Sequence, residues 1–345
     1  MYKEIIRPLL FKFTPESIHH FIVGFLKSMR YIPFARIITR KMFKTQEEEL
    51  RREFFGLSFP SPVGFAAGFD KNAECYDVLG DFGFGFIEVG TVTPKPQGGN
   101  PKPRCFRLSE DQAIINRMGF NNNGTVCAVR KLQKYRRRGV VIGGNIGKNT
   151  LTANENAPKD YLKVFRALYD YVDYFTVNVS CPNVEGLTAL QNKDGVGEIL
   201  KGLKEFRKGQ CDYRPILLKI SPDLTHEQID AMIEVALQYK VDGIVATNTS
   251  TSREGLSDKE KVQNIGKGGL SGAPLFEKSI ATVRYIYSKI GTKMPIVGVG
   301  GIMTEAQALE MLRAGASLIQ VYSGFIYQGP SFVKRVNKAI LSQQN

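Results

Sequence analysis

Three polar side chains crowd the end of one apolar run in DYFTVNVSCPN (173–183): Asn178, Cys181 and Asn183. Phe175, Val177 and Val179 alternate there with Thr176, Asn178 and Ser180, the period of a strand with two differently used faces. Pro182 cannot extend a ladder, so Cys181 sits where the strand stops and a loop starts. A thiol at such a tip can act as a nucleophile or a base, or it can be an inert small residue beside a turn. The flanking amides argue for a site, because buried amides need partners.

The elements that must carry these residues recur along the chain. Apolar runs cover 62–68, 85–91, 140–147, 173–180, 215–221, 242–249, 295–301 and 317–324, with helical stretches between them. Continuous apolar strands alternating with helices specify a parallel sheet buried on both faces, and eight of them specify a (β/α)8 TIM barrel. The long gaps 92–139 and 250–294 are then insertions over the active face. In a barrel the eight C-terminal strand ends share one mouth. Here they bring Ala67, Gly68 and Lys71; Thr91; Asn145; Asn178 and Cys181; Lys219; Thr247, Asn248 and Thr249; Gly300 and Gly301; and Tyr322, Ser323 and Gly324. With no His and no carboxylate pair, this set is poor for hydrolysis and offers no metal site. It suits a planar, hydrogen-bonding heterocycle and a phosphate. The glycines of GVGG and YSG, with Gly268, Gly269 and Gly272, expose backbone N–H groups for the phosphate. Lys219 ends an apolar strand and calls for an anionic ligand such as a reduced flavin; Lys71 is the natural partner of a substrate carboxylate.

The remaining 1–46 form a separate segment ahead of a 47–345 barrel domain. Thr14 followed by Pro15 is a helix start, and Ile18, Phe21, Ile22, Phe25, Leu26 and Met29 then form one stripe. A second helix begins near Pro33. This N-terminal amphipathic helical extension carries nine Lys or Arg against two Glu, half of the net charge of +14. Two short basic amphipathic helices fit an anionic membrane surface, or equally a pair packed on its own domain. No apolar run reaches bilayer length, and the opening residues show no secretory signal. Five scattered cysteines without a C-x-x-C fit a reducing compartment. The arginine run at 136–138 reads as a solvated helix end.

Several fragments carry a resemblance to a known family: PVGFAAGFDKN (62–72), EVGTVTPKPQGGNPKPRCFRL (88–108), INRMGFNN (115–122), NIGKN (145–149), NVSCPN (178–183), LLKISPD (217–223), ATNT (246–249), GGLSG (268–272), GVGGI (298–302) and QVYSG (320–324). Together they closely resemble the dihydroorotate dehydrogenases, flavin enzymes of pyrimidine synthesis, over nearly the whole chain. The resemblance implies FMN held by Ala67, Gly68, Lys71, Thr91, Asn145, Asn178, Lys219, Thr247, Gly272, Gly301, Tyr322 and Ser323. It implies a dihydroorotate/orotate pocket of Lys71, Asn116, Arg117, Met118, Gly119, Phe120, Asn178, Asn183, Asn248 and Thr249. Cys181 takes the place of the base that removes the C5 proton, while hydride passes from C6 to the flavin.

The family divides by electron acceptor. Soluble members use fumarate or a nicotinamide and have Cys as base; membrane-associated members use quinone, have Ser, and carry an N-terminal helical extension. This chain combines the extension with Cys181. We take the extension as decisive, since some fifty basic amphipathic residues are harder to explain away than one atom. The implied protein is a monomer, peripheral on the cytoplasmic side of the inner membrane, with a membrane quinone entering near His19, Arg104 and Tyr322. A thiol of ordinary pKa, about 8.5, is ionised more readily than a serine hydroxyl, so proton removal is expected to persist to lower pH than with serine. The rival reading, a flavin enzyme acting on tRNA, is disfavoured: the chain ends soon after the eighth strand, and its charge lies in an amphipathic hairpin and not an aromatic groove. No nucleic acid is expected as partner.

Overall fold

The computed structural model describes residues 1–45, 47–135, 139–184 and 186–343; the arginine run at 136–138 lies outside them. All eight expected strands are present: β1 (Val63–Phe65), β2 (Phe86–Val92), β3 (Val141–Ile146), β4 (Tyr174–Asn178), β5 (Ile216–Ile220), β6 (Gly243–Ala246), β7 (Ile296–Val299) and β8 (Leu318–Val321). They pair in parallel in chain order, and β8 returns to β1 through Ile319 opposite Val63, closing the barrel. Almost every strand residue is buried, because helices cover the outside and side chains fill the inside. Inside, large residues face glycines: a Cβ on Gly64 would stand 2.3 Å from the Phe86 ring, and one on Gly143 2.3 Å from the Tyr174 ring. A hairpin of Arg52–Phe54 and Leu57–Phe59 plugs the N-terminal end, with Phe59 edge-on to Phe86 at 5.3 Å.

The two long insertions meet. Cys105–Leu108 and Ala113–Asn116, from the insertion after β2, pair antiparallel with each other. Gly269–Gly272, from the insertion after β6, then pairs along Ala113–Asn116, with Leu270 opposite Ile115. This three-stranded sheet roofs the barrel mouth.

In the extension, α1 (Pro15–Ser28) starts where expected: Pro15 takes the first turn and the Thr14 hydroxyl accepts from Ser17 N at 3.4 Å. The next helix, α2, is Ala35–Phe43. A further helical stretch, Tyr2–Ile6 continued by Arg7–Phe11, was not expected from the pattern. The extension docks by charge as well as by packing. Val23, Leu26 and Met29 are buried, while Arg30 and Arg36 pair with the buried Asp77, and Arg36 also with Asp81 at 2.6 Å. Its other side keeps Phe21, Phe25, Tyr31, Phe34, Ile37, Ile38 and Met42 exposed, Phe34 at 73%. No helix among the described residues is long and apolar enough to cross a membrane.

Candidate active site

A single cavity of about 470 Å³ runs from the barrel mouth under the roofing sheet and out between the roof and α1. Its inner half is polar. Ala67, Gly68, Lys71, Thr91, Asn178, Lys219, Thr247, Gly272, Gly301, Tyr322 and Ser323 lie on its wall, and so do Asn116, Met118, Gly119, Phe120, Cys181, Asn183, Asn248 and Thr249. Strand ends supply most of these; the roof supplies Asn116 and Gly272.

The charged side chains of this inner half are Lys71 and Lys219. Lys71 Nζ donates to the Gly68 carbonyl at 2.6 Å, and burial pulls its ammonium down to about 8. Lys219, 5% exposed, has its pKa lowered by burial, partly offset by Glu88 and Cys181. No described residue accepts a hydrogen bond from its Nζ. An ammonium left so in an apolar strand is completed by an anionic ligand. The glycine end is equally specific: a Cβ on Gly300 would stand 2.1 Å from Ser279 Oγ and one on Gly301 2.3 Å from Phe276 N, where the helix Phe276–Ile290 begins. Bare backbone N–H groups beside a helix start suit a phosphate. Gln320, on the same wall, keeps its buried Oε1 without a partner among the described residues. An unpaired cation, an unpaired acceptor, an amide-rich wall and a glycine cradle fit a flat heterocycle that ends in phosphate, such as FMN.

Cys181 is 8% exposed and on the wall. Burial raises its thiol to about 11 against the lowering effect of Asn183 and the Lys219 charge. The ordinary thiol range assumed from sequence is therefore corrected upward, because the strand tip lies under the roof and away from water.

The outer half of the cavity is apolar, walled by Ile18, Ile22, Phe25 and Leu26 of α1 with Phe69 and Phe325. His19 projects into it, edge-on to Phe69 at 4.8 Å; burial and the nearby Lys71 charge hold it neutral, its pKa lowered to about 3. Tyr322 stands between the halves, stacked on Phe65 at 5.9 Å.

Three expected residues stand elsewhere. Arg104 is not on the wall: it is ion-paired with Glu16 at 2.7 Å and donates to the Gly98 and Asn100 carbonyls. Arg107 takes that place, its guanidinium 3.9 Å from the Phe11 ring and its buried Nε without a partner among the described residues. Period-2 alternation along Cys105–Leu108 sends Cys105 and Arg107 to the cavity side, a signal the sequence reading did not use. Arg117 turns outward, donating to the Ile265, Lys267 and Pro103 carbonyls and covering the Phe106 ring. Asn145 is fully buried one layer below the wall. There its Oδ1 accepts from Thr91 and Asn178, and its Nδ2 donates to Glu88.

A (β/α)8 barrel whose mouth is rich in amides and buried lysines, with no carboxylate pair among the described residues of that wall, has the build of a barrel oxidoreductase. Within that class the chain belongs to the dihydroorotate dehydrogenase family, whose sequence model matches residues 49–343. A dihydroorotate dehydrogenase (quinone) of Christiangramia forsetii is 51% identical over 343 residues, covering 99% of each chain. One from Marinobacter nauticus is 46% identical over 341 residues, covering 97% of this chain and 98% of its own. Among solved structures, the dihydroorotate dehydrogenase of Eimeria tenella in complex with ferulenol superimposes with a TM-score of 0.86 at 36% identity, covering 95% of this chain and 91% of its own.

Proposed function

We propose that the protein oxidises dihydroorotate to orotate in pyrimidine synthesis and delivers the electrons to a membrane quinone. The observation that carries this reading is one continuous cavity, polar and cationic at the barrel mouth and apolar where it opens beside α1. FMN, when bound, supplies the hydride acceptor and the store of electrons. Lys219 and Gln320, neither of them completed by its protein neighbours, would hold its polar edge, and Gly272, Gly300 and Gly301 its phosphate. Lys71 pairs with the substrate carboxylate. Asn116, Asn178, Asn183 and Asn248 face the ring amides, and Thr249 closes the same wall. Cys181, at the tip of β4, accepts the C5 proton. The roofing sheet excludes water from this exchange.

On the outer side, the α1 wall, the neutral His19 and the stacked Arg107 give a quinone an apolar path with a donor at its inner end. The exposed apolar side chains of 21–42, interleaved with basic ones, seat the protein as a peripheral monomer on an anionic membrane surface, on the cytoplasmic side of the inner membrane. The test is dihydroorotate turnover by the flavin-bearing protein with quinone, fumarate and NAD side by side. Quinone is expected to be the efficient acceptor; efficient fumarate use with quinone inert would overturn the acceptor assignment and follow Cys181 instead. A purified protein without flavin absorbance would overturn the whole reading.

A further inference from the structure

One carboxylate inside the barrel faces both the Lys219 charge and the amides below the mouth. Glu88, on β2, is 1% exposed and accepts from four side chains. Asn145 Nδ2 donates to Oε1 at 2.7 Å. Gln320 Nε2, Thr176 Oγ1 and the Tyr174 hydroxyl donate to Oε2 at 2.8, 3.0 and 3.2 Å. Since Oε1 accepts, the Asn145 atom facing it is the nitrogen, and the Asn145 oxygen must point up the barrel. That oxygen accepts from Thr91 Oγ1 and, at 3.1 Å, from Asn178 Nδ2. The Asn178 oxygen is thereby turned toward Asn248, whose Nδ2 donates to it at 3.2 Å, and toward Ser180. Asn248 is fixed in turn, its oxygen accepting from Thr249 N at 2.8 Å. Three amides stand in series with one direction, anchored at the barrel end by Glu88 and at the mouth by the Ser180 and Thr249 backbone N–H groups.

We infer that Glu88 is a positioning residue that sets the amide direction of Asn145 and, with the backbone N–H groups of Ser180 and Thr249, holds Asn178 and Asn248 in the sense they present to a bound substrate ring. This rests on the reading that Asn178 and Asn248 face the ring amides. The physical point is that an asparagine reversed in place keeps its shape but puts donor against donor and acceptor against acceptor, leaving buried groups unpaired. A neutral amide at position 88 removes the fixed acceptor at the barrel end of the series. Gln320, whose Oε1 has no partner among the described residues, could turn over and hold a glutamine at 88 in the old sense. The decisive variant therefore joins Glu88→Gln to Gln320→Leu, with Gln320→Leu alone as reference, both compared at equal flavin content because Gln320 is itself a proposed flavin contact.

The experiment titrates the full-length, flavin-bearing protein with orotate and follows the flavin absorbance. Glu88→Gln in the Gln320→Leu chain is expected to weaken orotate binding by about tenfold or more against that reference. In an Asn145→Ala chain, where the link is already cut, adding Glu88→Gln is expected to change affinity by less than about twofold, because the two act through one path. Tyr174→Phe with Thr176→Val removes two donors to the same carboxylate without touching Asn145, and is expected to leave orotate affinity within about twofold. Overturning results are a Glu88→Gln loss that adds in full to that of Asn145→Ala, an equal loss in the Tyr174→Phe/Thr176→Val chain, or a lowered melting temperature with orotate affinity unchanged. Should Glu88→Gln not fold, unchanged orotate affinity in Asn145→Ala overturns the inference by itself. A wild-type protein that carries flavin and binds no orotate overturns the functional reading and this inference with it, whereas a wild type that binds and variants that match it overturn the inference alone.

Discussion

Replacing Cys181 with serine, and following the reaction across pH, tests whether the thiol is the base. The thiol lies under the roof with its pKa raised to about 11 by burial. At pH 8 only about one thiol in a thousand is then ionised, where a thiol of ordinary pKa would be roughly a quarter ionised. Burial thus withholds the base by a factor of roughly 250 at that pH. The assay is stopped-flow bleaching of the flavin at saturating dihydroorotate, so that substrate affinity does not enter. The wild-type rate is expected to climb by about tenfold per pH unit between 7 and 10 without levelling. Cys181→Ser is expected to be slower at every pH, because a hydroxyl is still less ionised in the same surroundings. Two results would refute the reasoning. A wild-type profile that levels near pH 8.5 would mean that burial does not govern the thiol, and one superimposable on that of Cys181→Ser would mean that the thiol is not the base.

Two further outcomes follow from charges placed by the fold. Lys71 is charged below its pKa of about 8 and neutral above it, so orotate affinity should be level up to pH 8 and fall by about tenfold per unit above it; equilibrium titration that stays flat from pH 7 to 10, or the same fall in Lys71→Gln, would count against the carboxylate role. Arg30 and Asp77 have side chains 6% and 4% exposed, and Arg30→Met leaves that buried carboxylate short of a partner, so a loss of about 3 kcal/mol is expected, with earlier proteolysis within the first 46 residues; thermal melting and a proteolytic digest equal to wild type would show that charge does not dock the extension.

Much of this molecule was legible because its signals are local. Eight apolar runs, each closing on a polar or glycine residue, define the strands and their order, since a strand buried on both faces needs an unbroken apolar run wherever its neighbours lie. Strand ends converge by topology, so Lys71, Asn178, Cys181, Lys219 and Asn248 could be assigned to one mouth before any contact was known. Thr14 ahead of Pro15 fixed the start of α1 in the same local way.

What stayed hidden depends on partners distant in sequence. The roof exists because Gly269–Gly272 pairs with Ala113–Asn116, a register that no periodicity in either segment contains. Arg104 and Arg107 are three residues apart and chemically alike; Glu16, from the extension, claims the first, and the face of a short strand turns the second to the cavity. Asn145 and Glu88 lie one layer below the wall, a depth set by how closed strands stagger. The state of Cys181 shows the division most plainly. Its place at a strand tip is a property of NVSCPN, but its thiol is held neutral by desolvation under a roof built from two other parts of the chain, and burial is a quantity that only the assembled tertiary structure possesses.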